Sequence, residues 1–393
     1  MDSDIRKMLN MLETLHLSFV TPFDSSTVTS WAGGVSYFMS KAFSEHSTFV
    51  NHISVEERRN KLISLKWRFY TQLLKQTYHT NRELSVAKNL ARQIEKKLMC
   101  VKSDAILSLF TPQVAYLQSA VPLVIWADAT FENLIDFYPE FTNLCQESIE
   151  QGHLLDQNAM NSASLVIFTS DWAAKTAVDF YRIAPAKVKV VPYGANLTED
   201  RNITDVDKIL NSRPSDECRL LFLGTDWIRK GGDVAVAVAR SLNQQGIPTK
   251  LVVVGCQPPV SASTDFVECV GFIDKSDDRS MARLNQLFCE SHFLILPTRT
   301  DCTPNVFYEA NSFAVPSIST NVGGISTIIK DNLNGKTFAL DAETSEYSDY
   351  IFHLFKDHQK YRELAASSFD EYTKRLNWKV NTGIVRDLIC KIL

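Results

Sequence analysis

The sequence predicts an α/β protein made of two successive units of parallel sheet with crossover helices, and three observations predict it. Short unbroken apolar runs recur along the chain, each closing on a polar residue or glycine before a segment of helical spacing. Such runs suit strands buried on both faces of a sheet. The alternation happens twice, on either side of a polar stretch from Thr198 to Glu217 that is poor in aromatic residues. At 393 residues the chain is long enough for two cores. The expected division is residues 1–197, a linker at 198–217, a second domain at 218–370, and a final helix at 371–393 packing back on the first.

In the first unit, Leu15 to Pro22 reads as a strand, and Trp31-Ala-Gly33-Gly34-Val as a helix start after a polar stretch. Paired glycines let backbone approach a ligand with no Cβ in the way, although such pairs also occur in plain loops. Residues Val55 to Met99 hold no Gly or Pro and are rich in Lys, Arg, Glu and Leu, which predicts long helices with a solvated charged face. Arg58, Arg59, Lys61, Lys66 and Arg68 on that face are also able to reach an anionic lipid or a phosphorylated acceptor. Strands follow at Asp104–Phe110, Leu123–Asp128 and Ser164–Ser170. Asp128 closes the second of them, where a side chain faces the ligand crevice of an open sheet. It suits either acceptor binding and proton handling or a helix N-cap. Lys187 to Asn196 gives the last strand of the unit.

The second unit opens with Arg219-Leu-Leu-Phe-Leu-Gly224-Thr225, then Arg229-Lys230-Gly231-Gly232 and a helix. Strand, glycine, basic pair and glycine pair make a sensible anion site, since Arg and Lys reach phosphate oxygens where glycines admit the ligand. The spacing is neither that of a P-loop nor the G-x-G-x-x-G of a dehydrogenase. Lys250–Gly255 is a further strand. Val267 to Asp274 is another, ending in a Gly-Phe turn whose Phe272 and Ile273 are placed to cover a base. The apolar run Phe293–Leu296, bounded by Pro297, then leads into Thr298-Arg-Thr-Asp301-Cys302-Thr303-Pro304-Asn305-Val-Phe-Tyr-Glu309. Pro304 marks the first turn of a helix, so one acid sits in the strand-to-helix turn and a second on the helix. Helix mouths at strand ends attract phosphate, and carboxylates bind hydroxyls. Val315 to Ile325 and Asp331 to Phe338 supply the last strands, and helices fill Ser345 to Leu393 with a break near Asn377-Trp378.

Composition narrows the function. A net charge of −4, with no long block of like charge, gives a nucleic-acid partner no support. The start Met-Asp-Ser-Asp lacks the order of a signal peptide, and no apolar run reaches the ~18 residues of a membrane span, so a cytoplasmic protein is expected, with peripheral contact at the inner face of a membrane compatible. Eight cysteines form no C-x-x-C and read as reduced packing residues, Cys302 being the one placed to matter.

These pieces together resemble the retaining nucleotide-sugar glycosyltransferases of family 4. The resemblance spans nearly the whole chain and is sharper in the second half: the Gly224 to Gly231 loop, an acid pair with E-x7-E spacing at Asp301 and Glu309, Ala310 to Pro316, and Asn321-Val-Gly-Gly324 stand in the family's order. It implies a GT-B fold, two Rossmann-like domains facing across a cleft. It implies that Lys230 and Arg229 neutralise a leaving diphosphate, that Glu309 binds ribose, and that Asp301 with Cys302, Thr303, Pro304 and Asn305 holds sugar and phosphate. Gly33 and Gly34 match the N-terminal glycine loop, Thr225 stands near the phosphates, and Asp128 is the loosest match. The implied partners are a nucleotide sugar and a glycan or lipid-linked acceptor, with no cofactor or metal. Asp301 replaces the usual Glu, Cys302-Thr303 a common Gly-Phe, and Thr225 a common Arg, which leaves a silent nucleotide-binding protein as the alternative.

Overall fold

Each buried apolar run becomes a strand in one of two all-parallel sheets. The computed structural model describes residues 14–22, 31–57, 60–198, 201–262 and 264–393. Arg58 and Arg59 lie outside them. The chain divides into one unit of Met1–Pro192 with Asn381–Leu393 and another of Tyr193–Val380.

The first unit holds β1 (Leu15–Thr21), β2 (Thr48–Ser54), β3 (Ala105–Ser108), β4 (Leu123–Ala127), β5 (Leu165–Phe168) and β6 (Val188–Val190), in the order β2-β1-β3-β4-β5-β6. The central strands are buried from end to end because helices cover both faces. Helix Leu84–Leu98 shows why: Val86, Ala87, Leu90, Ala91 and Ile94 form one buried stripe, and its lysines face out. Gly33 and Gly34 fall inside the first turn of helix Trp31–Ser44.

The long helices expected between Val55 and Met99 are interrupted. Helix Lys61–Arg68 runs into a π-helical turn, Phe69–Leu73, and the next helix starts only at Leu84. The cause is tertiary: Lys75 takes φ 57°, and Thr77 forms a parallel bridge with Leu144. The bridge takes the backbone hydrogen bonds that a continuing helix would use, the Thr77 amide donating to Asn143 at 2.8 Å.

The second unit holds β7 (Cys218–Leu223), β8 (Thr249–Val254), β9 (Val267–Gly271), β10 (Phe293–Leu296), β11 (Ser317–Thr320) and β12 (Gly335–Phe338). Their order is β12-β11-β10-β7-β8-β9. Counted within the unit, this is the 3-2-1-4-5-6 order of nucleotide-binding doubly wound sheets, with the winding reversing between β7 and β10. The polar stretch read as a linker contains helix Ile203–Ser212, capped by Asn202 and Asp205 and burying Val206 and Leu210. Helices Thr344–Lys356, His358–Arg375 and Trp378–Cys390 complete the chain. Among the described residues no helix is long and apolar enough to cross a membrane.

Candidate functional site

Ligands of open α/β sheets bind outside the carboxyl ends of the two strands where the winding reverses. In the second unit those strands are β7 and β10, and the basic loop and the acid turn follow them directly. The sequence places the two loops about 70 residues apart; the sheet makes them neighbours.

Gly231 fixes how closely they meet. Its φ is +77°, and a Cβ there would stand 2.0 Å from the Pro297 carbonyl oxygen at the end of β10. Only glycine suits that left-handed, crowded position. Backbone bonds then lock the loops together, the Arg299 amide donating to the Arg229 carbonyl at 2.7 Å and the Thr298 hydroxyl to the same oxygen at 3.1 Å. Lys230 Nζ consequently donates to Asp301 Oδ2, with both side chains nearly buried. Arg229 sits 3.7 Å from the same carboxylate and donates to the Thr300 carbonyl at 3.0 Å. Next to them Arg299 grips Asp233 with two bonds of 3.0 and 2.7 Å, which holds the Asp233 carboxyl below its ordinary range.

Helix Asn305–Ser312 begins from Pro304 with no side-chain cap and no acid in its first turn, so its mouth keeps a positive partial charge. Asn305 and Glu309 lie four residues apart and share a face of this helix. Both are buried, at 5% and 0% exposure. Lys275, from the loop after β9, donates to Glu309 Oε1. Glu309 Oε2 and both side-chain polar atoms of Asn305, Oδ1 and Nδ2, have no hydrogen-bond partner. Each such orphan costs about 1–3 kcal/mol, a cost that a ligand's hydroxyls and phosphate oxygens would offset.

The structure therefore gathers Arg229, Lys230, Asp301, Cys302, Thr303, Pro304, Asn305 and Glu309 at one reversal point. Cys302 and Thr303 are buried, and the Cys302 carbonyl accepts from the Gly324 amide at 2.9 Å, which ties the second glycine pair to the turn. Phe272 is 75% exposed beyond β9, with Ile273 beside it and half-buried, and Thr225 is exposed after β7. Asp128 and Gly33-Gly34 belong to the first unit. Asp128 follows β4 but is not a helix cap, because Thr130 and Asn133 cap helix Phe131–Leu134. Sequence reasoning missed Lys275. It stands three residues after the singled-out Phe272, but nothing local shows that it meets an acid 34 positions away.

Two parallel doubly wound sheets in two successive units are the architecture of the GT-B fold. Residues 217–357, which contain the basic loop and the acid-bearing helix, match the family described as Glycosyl transferases group 1 and carry its sequence pattern. Among curated proteins the chain is similar to D-inositol 3-phosphate glycosyltransferase of Stackebrandtia nassauensis, 28% identical over 57% of the chain and 53% of that protein. A second such enzyme, from Acidothermus cellulolyticus, is 27% identical over 43% of the chain and 41% of its own length. The aligned part thus spans about half of these relatives or less. Among solved structures, sucrose-phosphate synthase from Thermosynechococcus elongatus superposes with a TM-score of 0.70 at 14% identity, covering 96% of this chain and 99% of that one. HepE from Anabaena, in complex with UDP and glucose, gives 0.61 at 15% identity over 95% and 99%. At these identities the likeness establishes the fold.

Proposed function

We propose that the chain is a retaining glycosyltransferase that moves a sugar from a nucleotide-sugar donor to a glycan or lipid-linked acceptor, in cell-surface polysaccharide or glycoconjugate synthesis at the cytoplasmic side. The observation that carries this reading is the orphaned pair Asn305 and Glu309 on the helix that opens beside Lys230 and Asp301. Glu309 Oε2 would accept from a ribose hydroxyl. The bare mouth of helix Asn305–Ser312 and Asn305 would receive the diphosphate.

Transfer then needs stabilisation of the charge that grows on the leaving diphosphate as an oxocarbenium-like state forms. Lys230 and Arg229 supply cations already positioned and desolvated, so no reorganisation is required at that moment. Their common partner Asp301 holds them in place before the donor arrives, and its carboxylate reaches the sugar afterwards. With two cations at the leaving group, we assign no metal to the step. Asp301 and Glu309 both lie along one helix entry, which is unsuited to glycosidase chemistry, where two carboxylates flank a single bond.

Nucleotide release from UDP-, GDP- and ADP-sugars, read with the product anomer, tests the reading. HepE was crystallised with UDP and glucose, so UDP-sugars come first. Turnover with retained anomeric configuration is the expected result. A nucleotide that raises the melting temperature with no turnover of any sugar donor would leave a binding protein instead.

A further inference from the structure

Between Asn60 and Lys75 the first unit turns an apolar surface to solvent. Helix Lys61–Arg68 and the turn Phe69–Leu73 bury Ile63 alone. Leu62, Leu65, Phe69 and Leu73 are 60%, 63%, 47% and 69% exposed, and Trp67 and Leu74 are exposed as well. Spacings of three and four residues line the first four along one face. The segment is anchored from its other side. Lys66 donates to Glu83 at 2.9 Å and to Glu147, while Tyr70 stacks on Tyr78 at 5.0 Å and donates to Glu147 at 3.2 Å. The stripe is thus held in the folded unit and left uncovered by the described residues.

Charge indicates what covers it. From Arg58 to Arg82 there are seven Arg and Lys and no Asp or Glu, in a chain whose net charge is −4. Lys66 and Arg82 pair with Glu83, Glu147 and Asp156. Lys61, Arg68 and Lys75 are exposed, and helical spacing sets Lys61 and Arg68 along one margin of the stripe. An apolar stripe with a cationic margin matches an anionic bilayer surface, where leucine and phenylalanine enter the headgroup layer and lysine and arginine meet lipid phosphates. A second copy of the chain fits worse, because a two-fold contact would set the same cations against each other.

We propose that helix Lys61–Arg68 and the turn Phe69–Leu73 dock the first unit on an anionic lipid bilayer. The surface stands apart from the sugar-transfer reading, since docking is measured with no donor present. The test is co-sedimentation of the full chain with vesicles of phosphatidylcholine alone or mixed equally with phosphatidylglycerol. The chain is expected to bind the mixed vesicles and to leave them as salt is raised. Lys61→Glu and Arg68→Glu should each weaken binding by about fivefold or more at low salt, and Leu65→Glu with Phe69→Glu should abolish it. These side chains face solvent, so the variants should keep the wild-type circular dichroism and melting temperature. Should they not, quenching of Trp67 emission by brominated lipid in the unaltered chain, corrected by Trp67→Phe, reads the same contact. Absence of binding to the anionic vesicles, binding unchanged in the variants, or a wild-type dimer that the Leu65 and Phe69 changes split without any vesicle binding would overturn the proposal.

Discussion

Asp156 in the first unit and Glu309 in the second are both acids withdrawn from water, at 1% and 0% exposure, and they are satisfied very differently. Asp156 accepts from Arg82 Nη1 at 3.1 Å, from the Thr111 hydroxyl at 2.6 Å and from the Phe131 amide at 2.6 Å. Both of its oxygens are engaged by the fold. Glu309 accepts from Lys275 on one oxygen and keeps the other without a partner. Burial alone therefore does not mark a functional acid. The proposed binding role of Glu309 rests instead on a carboxylate oxygen left without a partner, on a helix at the sheet's reversal point.

Three substitutions separate a structural buried group from one kept for a ligand. The largest effect is expected from Asp156→Ala, which strands the Arg82 guanidinium in the interior and should cost about 3–5 kcal/mol, read as a lower urea midpoint, whether or not nucleotide is present. Glu309→Gln keeps the volume and removes the charge. It should leave the urea midpoint near wild type and weaken nucleotide binding by about 1.5–3 kcal/mol, the worth of a charged hydrogen bond, measured by titration calorimetry. If Glu309→Gln unfolded the chain and left binding intact, Glu309 would be a second Asp156.

The smallest effect sharpens the contrast inside the second unit. His292 is 2% exposed, accepts from the Arg219 amide at 3.0 Å and faces the Pro214 carbonyl at 2.9 Å, so both ring nitrogens are used by the neutral form. Burial, with Arg213 nearby, pushes its pKa from 6.5 down to about 3. The unfolded chain therefore binds a proton that the folded one refuses between those two values. The stabilisation is complete above pH 6.5 and is lost as pH falls toward 3. From pH 6.5 to 5 the loss should be on the order of 1–2 kcal/mol, and His292→Gln should flatten that part of the urea-midpoint curve.

Most of the fold was legible because strands buried on both faces leave continuous apolar runs, as in Leu123 to Ala127 and Phe293 to Leu296. The acid turn and the basic loop were legible for a local reason as well, since glycine, proline and charge stand at strand ends. What escaped depends on distant partners. Lys275, on a loop, finds Glu309 on a helix 34 positions later, and Thr77 leaves the helix for Leu144. Helix Ile203–Ser212 escaped because its buried side is only Val206 and Leu210, so composition alone gave a linker.

The adjacency of β7 and β10 also bears on how the protein is made. Within the second sheet it is the pairing of greatest sequence separation, Phe293 beside Leu220. Contacts that close long loops bear the largest entropic cost and form late. A chain emerging from synthesis presents Lys230 well before Asp301 exists to receive it. The Lys230–Asp301 pairing is thus expected among the last contacts to form, and a nucleotide that bound there would report a finished sheet.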